Sequence, residues 1–401
     1  MTLQRRQFIS GTGATLAAFS ASPLPAMAAE PDSPAGTDSV PGFATPAPLT
    51  PMQVRTDRII DISVCTRPFR AAGPRIEAQQ IGRQTVVHNY GHGGSGWSLS
   101  WGSAQLAVSL ALATGEKHIA VIGCGAIGLT TTRVAQRAGL RVRIYCRELP
   151  PEVRSSKATG VWSPDSRICD VPHATPAFRQ RWEAMARYSH ERYQRLLGLP
   201  GDPVEWREGY ALSDIPFNQP LPQVALPEAH PEPDYPELER DLLTDLHPRS
   251  VLLRRDQHPF PVAFARRYTQ LVFNLPAYSQ LLMDEFARDG GEIVHRDFAS
   301  PRQFAALKER TLVNATGYGA RALLDDDSVI PVRGQIARLV PQPDVRYGLA
   351  WRGHNLSVVS RRDGILVQAE VDGDFGNEDT TPDRALSEAA VQRLASLFPL
   401  G

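Results

Sequence analysis

Cysteine is scarce. Cys65, Cys124, Cys146 and Cys169 are the only four in 401 residues, too few for a disulfide framework to stand in for a hydrophobic core. Net charge is missing as well: 43 basic and 43 acidic side chains balance. That balance excludes the basic surface on which nucleic-acid binding depends. No uninterrupted apolar run reaches the roughly 18 residues that a transmembrane helix requires. What is present is a globular composition, 42% hydrophobic and 21% charged, far from that of a disordered chain. Thirty-four prolines predict many loops, and the length predicts two or three domains.

The first residues read as a targeting segment. Arg5-Arg6 precedes a weakly apolar stretch over 11–21 and a small-residue exit, Ala26-Met27-Ala28. A basic start, an apolar middle and an A-x-A site make a secretory signal, and the arginine pair makes it resemble a twin-arginine (Tat) signal. The expected partner is the Tat export machinery, and the expected location is the periplasm or outside the cell. Cleavage after Ala28 removes Arg5 and Arg6 but no acid, so the mature chain is slightly acidic. The proline-rich stretch that follows, 29–52, reads as a tether.

His118-Ile-Ala-Val-Ile122 is a short apolar strand. Gly123-Cys124-Gly125-Ala126-Ile127-Gly128 follows at once, then a helical stretch to Gly139 and an alternating strand, Arg141 to Tyr145. Strand, G-x-G-x-x-G, helix and strand within about 30 residues form a dinucleotide-binding unit. Gly123 permits the tight turn, Gly125 lets backbone approach a pyrophosphate, and Gly128 lets helix and strand pack closely. Ala126 and Ile127 open the helix, whose free N–H groups and partial positive charge face the phosphate. The acid that reaches the ribose is Glu148, 20 residues past Gly128, although Arg147 holds the place where many such sites keep it. The motif alone does not separate NAD from FAD. A later strand, Thr311 to Asn314, runs into Ala315-Thr316-Gly317, followed by Pro331-Val-Arg333-Gly334-Gln335-Ile336; in that order they favour a flavoprotein.

The most specific stretch is His88-Asn89-Tyr90-Gly91-His92-Gly93-Gly94-Ser95-Gly96-Trp97-Ser98-Leu99-Ser100-Trp101-Gly102. Its glycines open backbone conformations closed to other residues, so N–H groups can converge on a developing anion. A helix is predicted over 103–113. His88 and His92 read as loop histidines satisfying backbone groups, and no metal site is expected.

This run resembles the C-terminal signature of the D-amino acid oxidase family of flavoenzymes. Arg67-Pro68-Phe69-Arg70 resembles the family's R-P-x-R strand. Cys146-Arg147-Glu148, Ser155-Ser156 and Ala158-Thr159-Gly160-Val161-Trp162 resemble the segment after its first βαβ unit, and Val313-Asn-Ala-Thr-Gly317 and Val332-Arg-Gly-Gln-Ile336 resemble two later elements. The resemblance implies an α/β fold in which a Rossmann-type FAD-binding domain (118–195 and 275–335) interleaves with a mixed-sheet α+β substrate domain (196–274 and 336–401). It also implies a permuted order, because the family's closing segment, here 53–117, precedes its opening strand at His118. Circular permutation requires neighbouring ends, so the chain near Met52 should lie close to the chain near Gly401.

The activity so implied is oxidation of an amino acid, expected to be D-, by hydride transfer to flavin N5, with O₂ reduced to H₂O₂. The alternatives are a dehydrogenase that passes electrons to another carrier, and a flavin-binding protein without oxidase activity. Arg67 matches the carboxylate-binding arginine, and Gly94 the glycine whose carbonyl faces the substrate amine. Gly93, Ser95, Gly96, Trp97 and Ser98 match the loop at the flavin's pyrimidine edge; Ser155, Gly160, Val161 and Gly317 complete the cofactor set. Two departures stand out. The family's substrate-contacting tyrosine is replaced near Ser357, leaving Tyr347, Trp351 or His354 as substitutes, and a glycine pair becomes Gln368-Ala369. The stretch 227–245 reads as a solvated acidic insertion, and Trp182, Met185, Tyr188 and Tyr193 as the core face of a helix.

Overall fold

The computed structural model describes residues 49–221, 232–369 and 373–398. The signal at 1–28, most of the tether, part of the acidic insertion and the last residues to Gly401 lie outside these. In chain order the strands are β1 (Ile59–Phe69), β2 (Arg75–Ile81), β3 (Gln84–Tyr90), β4 (His118–Ile122), β5 (Arg141–Cys146), β6 (Val204–Ser213), β7 (Val251–Leu253), β8 (Phe264–Phe273), β9 (Glu292–His295), β10 (Thr311–Asn314), β11 (Ile330–Leu339), β12 (Tyr347–Trp351), β13 (Leu356–Arg361) and β14 (Gly364–Ala369). The helices are α1 (Gly96–Leu112), α2 (Ala126–Arg137), α3 (Pro176–Gln194), α4 (Leu238–Leu242), α5 (Leu275–Arg288), α6 (Ala320–Leu324) and α7 (Arg384–Ala395).

These strands form two sheets. One has six strands in the order β2-β3-β10-β4-β5-β9, and the other eight in the order β1-β11-β14-β13-β12-β6-β8-β7. In the first, β3, β10, β4, β5 and β9 run parallel. Its central strands are buried on both faces; β10 is buried at every residue and β4 at all but His118. The second sheet is mostly antiparallel, with β12 parallel to β6.

The segment 53–117 divides between the sheets. β1 is an edge strand of the eight-stranded sheet, where Pro68 costs no ladder hydrogen bond. β2 and β3 enter the six-stranded sheet, and α1 packs against α2 and α3. The expected division at 335/336 falls inside β11, whose whole length belongs to the eight-stranded sheet.

The tether reaches less far than expected. Met52 is 3% exposed and shares a core with Val54, Leu394 and Leu397, while the Tyr347 hydroxyl donates to the Thr50 carbonyl at 2.9 Å. The described start and end of the chain therefore meet in one apolar cluster.

Helix α3 buries Trp182, Met185 and Tyr193 and half-buries Tyr188, as its spacing predicts. Helix α1 corrects the expectation, since it begins at Gly96 rather than at 103. Its first turns pack Trp97, Leu99 and Trp101 against α3 and α5, where the Tyr193 hydroxyl donates to the Trp97 carbonyl and Trp101 Nε1 to the Tyr278 hydroxyl. Burial there outweighs the loop tendency of Gly96 and the serines.

Candidate functional site

A cavity of about 1020 Å³ lies between the two sheets. It has three regions, each built on different elements.

The first lies at the ends of β4, β5 and β10. Gly123 turns the chain at φ +107°, and its N–H donates to the Tyr145 carbonyl at 2.8 Å. A Cβ on Gly123 would sit 2.5 Å from the Ala315 carbonyl oxygen, and one on Gly128 would sit 2.1 Å from the Gly123 carbonyl oxygen. Both glycines therefore serve chain-on-chain packing. A Cβ on Gly125 would meet only the Ser155 side chain, at 3.1 Å, so this glycine keeps the floor low toward the cavity. Gly123, Gly125, Ala126, Ile127, Ser155 and Gly317 all line it, and the Ala126 N–H donates to Ser155 Oγ at 3.0 Å. Arg147 and Glu148 also line it, ion-paired to each other at 3.0 Å. Sequence reasoning missed Arg154, which lies over the Tyr318 ring, and it missed Asp297 and Phe298, which arrive with Arg296 just after β9.

Cys124 and Cys146 face each other at this turn. Hydrogen bonding between the thiols, aided by burial, raises the Cys124 proton affinity well above the ordinary thiol range. All four cysteines are buried and unbridged.

The second region is the glycine loop. Gly93, Gly94, Gly96 and Trp97 line the cavity, and Val161 joins them. Gly93 adopts φ +54°, and a Cβ there would overlap the Arg167 carbonyl oxygen at 1.9 Å. The expected convergence of loop N–H groups needs correction. The Gly93 N–H donates to the Pro68 carbonyl, the Gly94 N–H to the Ser166 carbonyl and the Ser95 N–H to the His92 carbonyl, each at 2.9 Å. The amides without a helical acceptor are those of the first turn of α1, where Gly96 and Trp97 reach the cavity.

Four expected cofactor residues do not line the cavity and act from behind it. Ser95 Oγ donates to the Ser166 carbonyl, and Ser98 Oγ accepts from the Ser163 N–H. Gly128 packs under Gly123, and Gly160 packs against the Phe273 carbonyl. The histidines satisfy side chains rather than backbone: His92 Nε2 pairs with Ser103 Oγ at 2.7 Å, and His88 Nε2 with Gln79 Oε1 at 2.9 Å. Burial pushes His92 down to about 3 and His88 down to about 4, so both are neutral.

The third region is the cavity face of the eight-stranded sheet. Arg67 on β1 lies half-buried over β11, and its Nη1 donates to the Arg333 carbonyl at 2.8 Å. Gly334 makes this possible, because a Cβ there would lie 2.5 Å from Arg67 Nη2. Among the described residues, no carboxylate pairs with Arg67. Substituting Gly334→Ala should push the guanidinium aside while leaving the melting temperature near that of the wild type, since only a flexible side chain must move. The Michaelis constant for a carboxylate ligand should rise, and steady-state kinetics with thermal melting would check both points.

Tyr268 and Gln270 on β8 also line the cavity. Two glycines make room for them: a Cβ on Gly209 would meet the Tyr268 ring at 2.3 Å, and one on Gly348 would meet Gln270 Nε2 at 2.8 Å. Burial pushes the Tyr268 hydroxyl well above the ordinary tyrosine range. Of the three substitutes expected for the family tyrosine, only Trp351 lines the cavity. Tyr347 faces the opposite core, and His354 pairs with Asp214 at 2.6 Å on the outside. Trp351 shares a strand face with Tyr347 and packs partly on the same core, but it stands at the end of β12, where it also reaches the cavity. Ser357 and Gln368 line the cavity as register partners.

The sequence model of the family described as FAD dependent oxidoreductase (DAO) matches residues 118–400. The chain is 27% identical over 280 residues to the D-amino-acid oxidase of Rubrobacter xylanophilus, covering 70% of this chain and 76% of that protein. It is 29% identical over 298 residues to the D-amino-acid oxidase of Streptomyces coelicolor, covering 71% and 78%. Among solved structures, glycine oxidase from Geobacillus kaustophilus superposes with a TM-score of 0.47 at 15% identity, over 71% of this chain and 79% of that one.

Proposed function

Because this chain belongs to the DAO family of FAD-dependent oxidoreductases and acts on amino acids, we propose that it deaminates a D-amino acid oxidatively and hands the electrons to O₂, forming H₂O₂. The residues present fit FAD. Glycine keeps the floor beside Gly125 low and leaves the Gly96 Cβ position open, with nothing within 4 Å, and the cavity runs continuously from Glu148 to Arg67. Gly123, Gly125, Ala126, Ile127 and Ser155 would hold the pyrophosphate region, Arg147 and Glu148 the ribose, and Gly96, Trp97 and Gly317 the isoalloxazine side. When bound, FAD supplies the two-electron acceptor for the substrate Cα–H bond.

The chain's own residues bind, orient and exclude water. Arg67 grips the substrate carboxylate at two points, which fixes its position and plane. Gly94 presents its carbonyl to the amine. Tyr268, Gln270 and Trp351 wall the side-chain end. The imine product leaves the α-carbon oxidised and hydrolyses in water to the keto acid and ammonia. The single observation that carries this reading is an arginine, half-buried at the cavity wall, that has no carboxylate partner among the described residues.

Anaerobic mixing of the purified flavoprotein with paired D- and L-amino acids, glycine and sarcosine tests it. Bleaching by D-amino acids, with peroxide released on admitting air, is expected. Bleaching without peroxide would point to another electron acceptor, and flavin that no amino acid reduces would overturn the proposal.

Two further points belong to this reading. The twin-arginine segment directs export of the folded protein, which a reporter fused to residues 1–28 tests: export must fail when Arg5 and Arg6 become lysine. The chain is also a circular permutant of its family. Support comes from the family match beginning at 118, from β3 pairing beside β10, and from the shared cluster of Met52 and Leu397. A rearranged chain that opens at His118 and runs from 398 into 52 should bind FAD as the parent does; a rearranged chain that cannot fold would overturn the permutation.

A further inference from the structure

Gln368 is 3% exposed and lines the cavity, and its amide Nε2 is buried without a hydrogen-bond partner. A buried donor left unpaired is costly, so such groups are normally satisfied by protein, water or ligand. Its surroundings explain what could satisfy it. Gln368 pairs in register with Ile336 on β11 and with Ser357 on β13. Gly334, which carries the Arg67 guanidinium above it, lies two residues from Ile336 on the same face. Diagonal cross-strand neighbours are about 7–8 Å apart. A glutamine side chain and an arginine fork reaching inward from those positions converge on one small anion. Ser357, directly opposite, is short and leaves that space open. The cavity's acids, such as Glu148 and Glu378, engage Arg147 and Tyr318 instead.

We propose that Gln368 is a substrate-contacting residue whose carboxamide donates to the substrate carboxylate beside Arg67, so that recognition rests on an arginine–glutamine pair contributed by β1 and β14. This inference rests on the function proposed above. A half-turn about the terminal torsion of Gln368 exchanges its two ends within the same volume, which lets the donor face the anion when one is present.

The test uses the flavin-loaded protein and propionate, a carboxylate with no amine to oxidise, titrated by calorimetry. Gln368→Met removes the donor at nearly constant volume and should weaken propionate binding roughly ten- to hundredfold, as expected for a hydrogen bond to a charged group. With substrate it should raise KM while changing kcat little. Gln368→Glu places an anion against the ligand and should abolish propionate binding while leaving that of neutral propionamide unchanged; it carries the test if the methionine variant does not retain flavin. Propionate affinity unchanged in Gln368→Met, or retained in Gln368→Glu, overturns the proposal. Because propionate binding needs no turnover, it still reads Gln368 if amino acids fail to reduce the flavin, a failure that would count against the oxidase reading alone.

Discussion

Replacing Arg67 with methionine should raise KM for a carboxylate-bearing substrate by roughly 30- to 4,000-fold, the equivalent of the about 2–5 kcal/mol lost when one partner of a buried charge pair is removed. The argument is electrostatic and geometric together. The guanidinium is held by the Arg333 carbonyl at 2.8 Å and lies over Gly334, so it is oriented before ligand arrives. No acid among the described residues neutralises it. An incoming carboxylate therefore gains a preformed fork rather than competing with an internal ion pair. Arg67→Lys should restore only part of the loss, because an ammonium cannot reproduce two parallel hydrogen bonds. Flavin content and thermal melting should stay near wild type, since the side chain supports no core contact. Stopped-flow reduction and steady-state kinetics would read the effect, and an unchanged KM would remove Arg67 from the site.

The second large effect concerns the glycines of the dinucleotide turn, where two substitutions should fail for different reasons. Gly128→Ala drives a Cβ to 2.1 Å from the Gly123 carbonyl oxygen, backbone that cannot move without disturbing the junction of β4, α2 and β10. Overpacking of this kind costs roughly 1–3 kcal/mol or more. The variant should melt lower even without cofactor, and it should lose FAD as a consequence. Gly125→Ala meets only the Ser155 side chain, at 3.1 Å, and its backbone needs no positive φ. The cofactor-free protein should melt like wild type, while FAD affinity falls about ten- to hundredfold because the methyl occupies the close approach of the pyrophosphate. Melting of apo and holo forms alongside fluorescence titration with FAD separates the two. A Gly125→Ala protein that binds FAD normally would show that the phosphate lies elsewhere.

The dinucleotide unit was legible because its requirements are local. The apolar run of β4, the turn at Gly123, the helix after Gly125 and the alternation of β5 lie in one stretch of chain, and each residue type is demanded by its own backbone. The glycine run was legible as a site element but not as geometry. Its amides at Gly93 and Gly94 are taken by the Pro68 and Ser166 carbonyls, partners that the chain brings in from either side of the motif, and the donors facing the cavity shift to the start of α1.

The substrate end was the least legible. Tyr268, Gln270, Ser357, Gln368 and Arg67 sit on four strands spread over most of the chain, and the side that each presents depends on pairing register. Alternation within one strand says which residues share a face; it does not say which face meets the cavity. Tyr347 and Trp351 show the difference: four residues apart on β12, they share a face and pack on the same core, yet only Trp351, at the strand end, also reaches the cavity.

By itself, then, the sequence determined the local devices: the glycine turns, the strands and helices beside them, and an arginine in an R-P-x-R strand. The tertiary structure alone decided which of these devices meet: the register of β1, β11 and β14 brings Gln368 and the Arg67 guanidinium to one face of the sheet, and packing holds Ser95, Ser98, Gly128 and Gly160 behind the cavity wall. The physical reason is that backbone conformation is set mostly by a residue and its immediate neighbours, whereas the chemistry of a cavity depends on which distant strands share its floor.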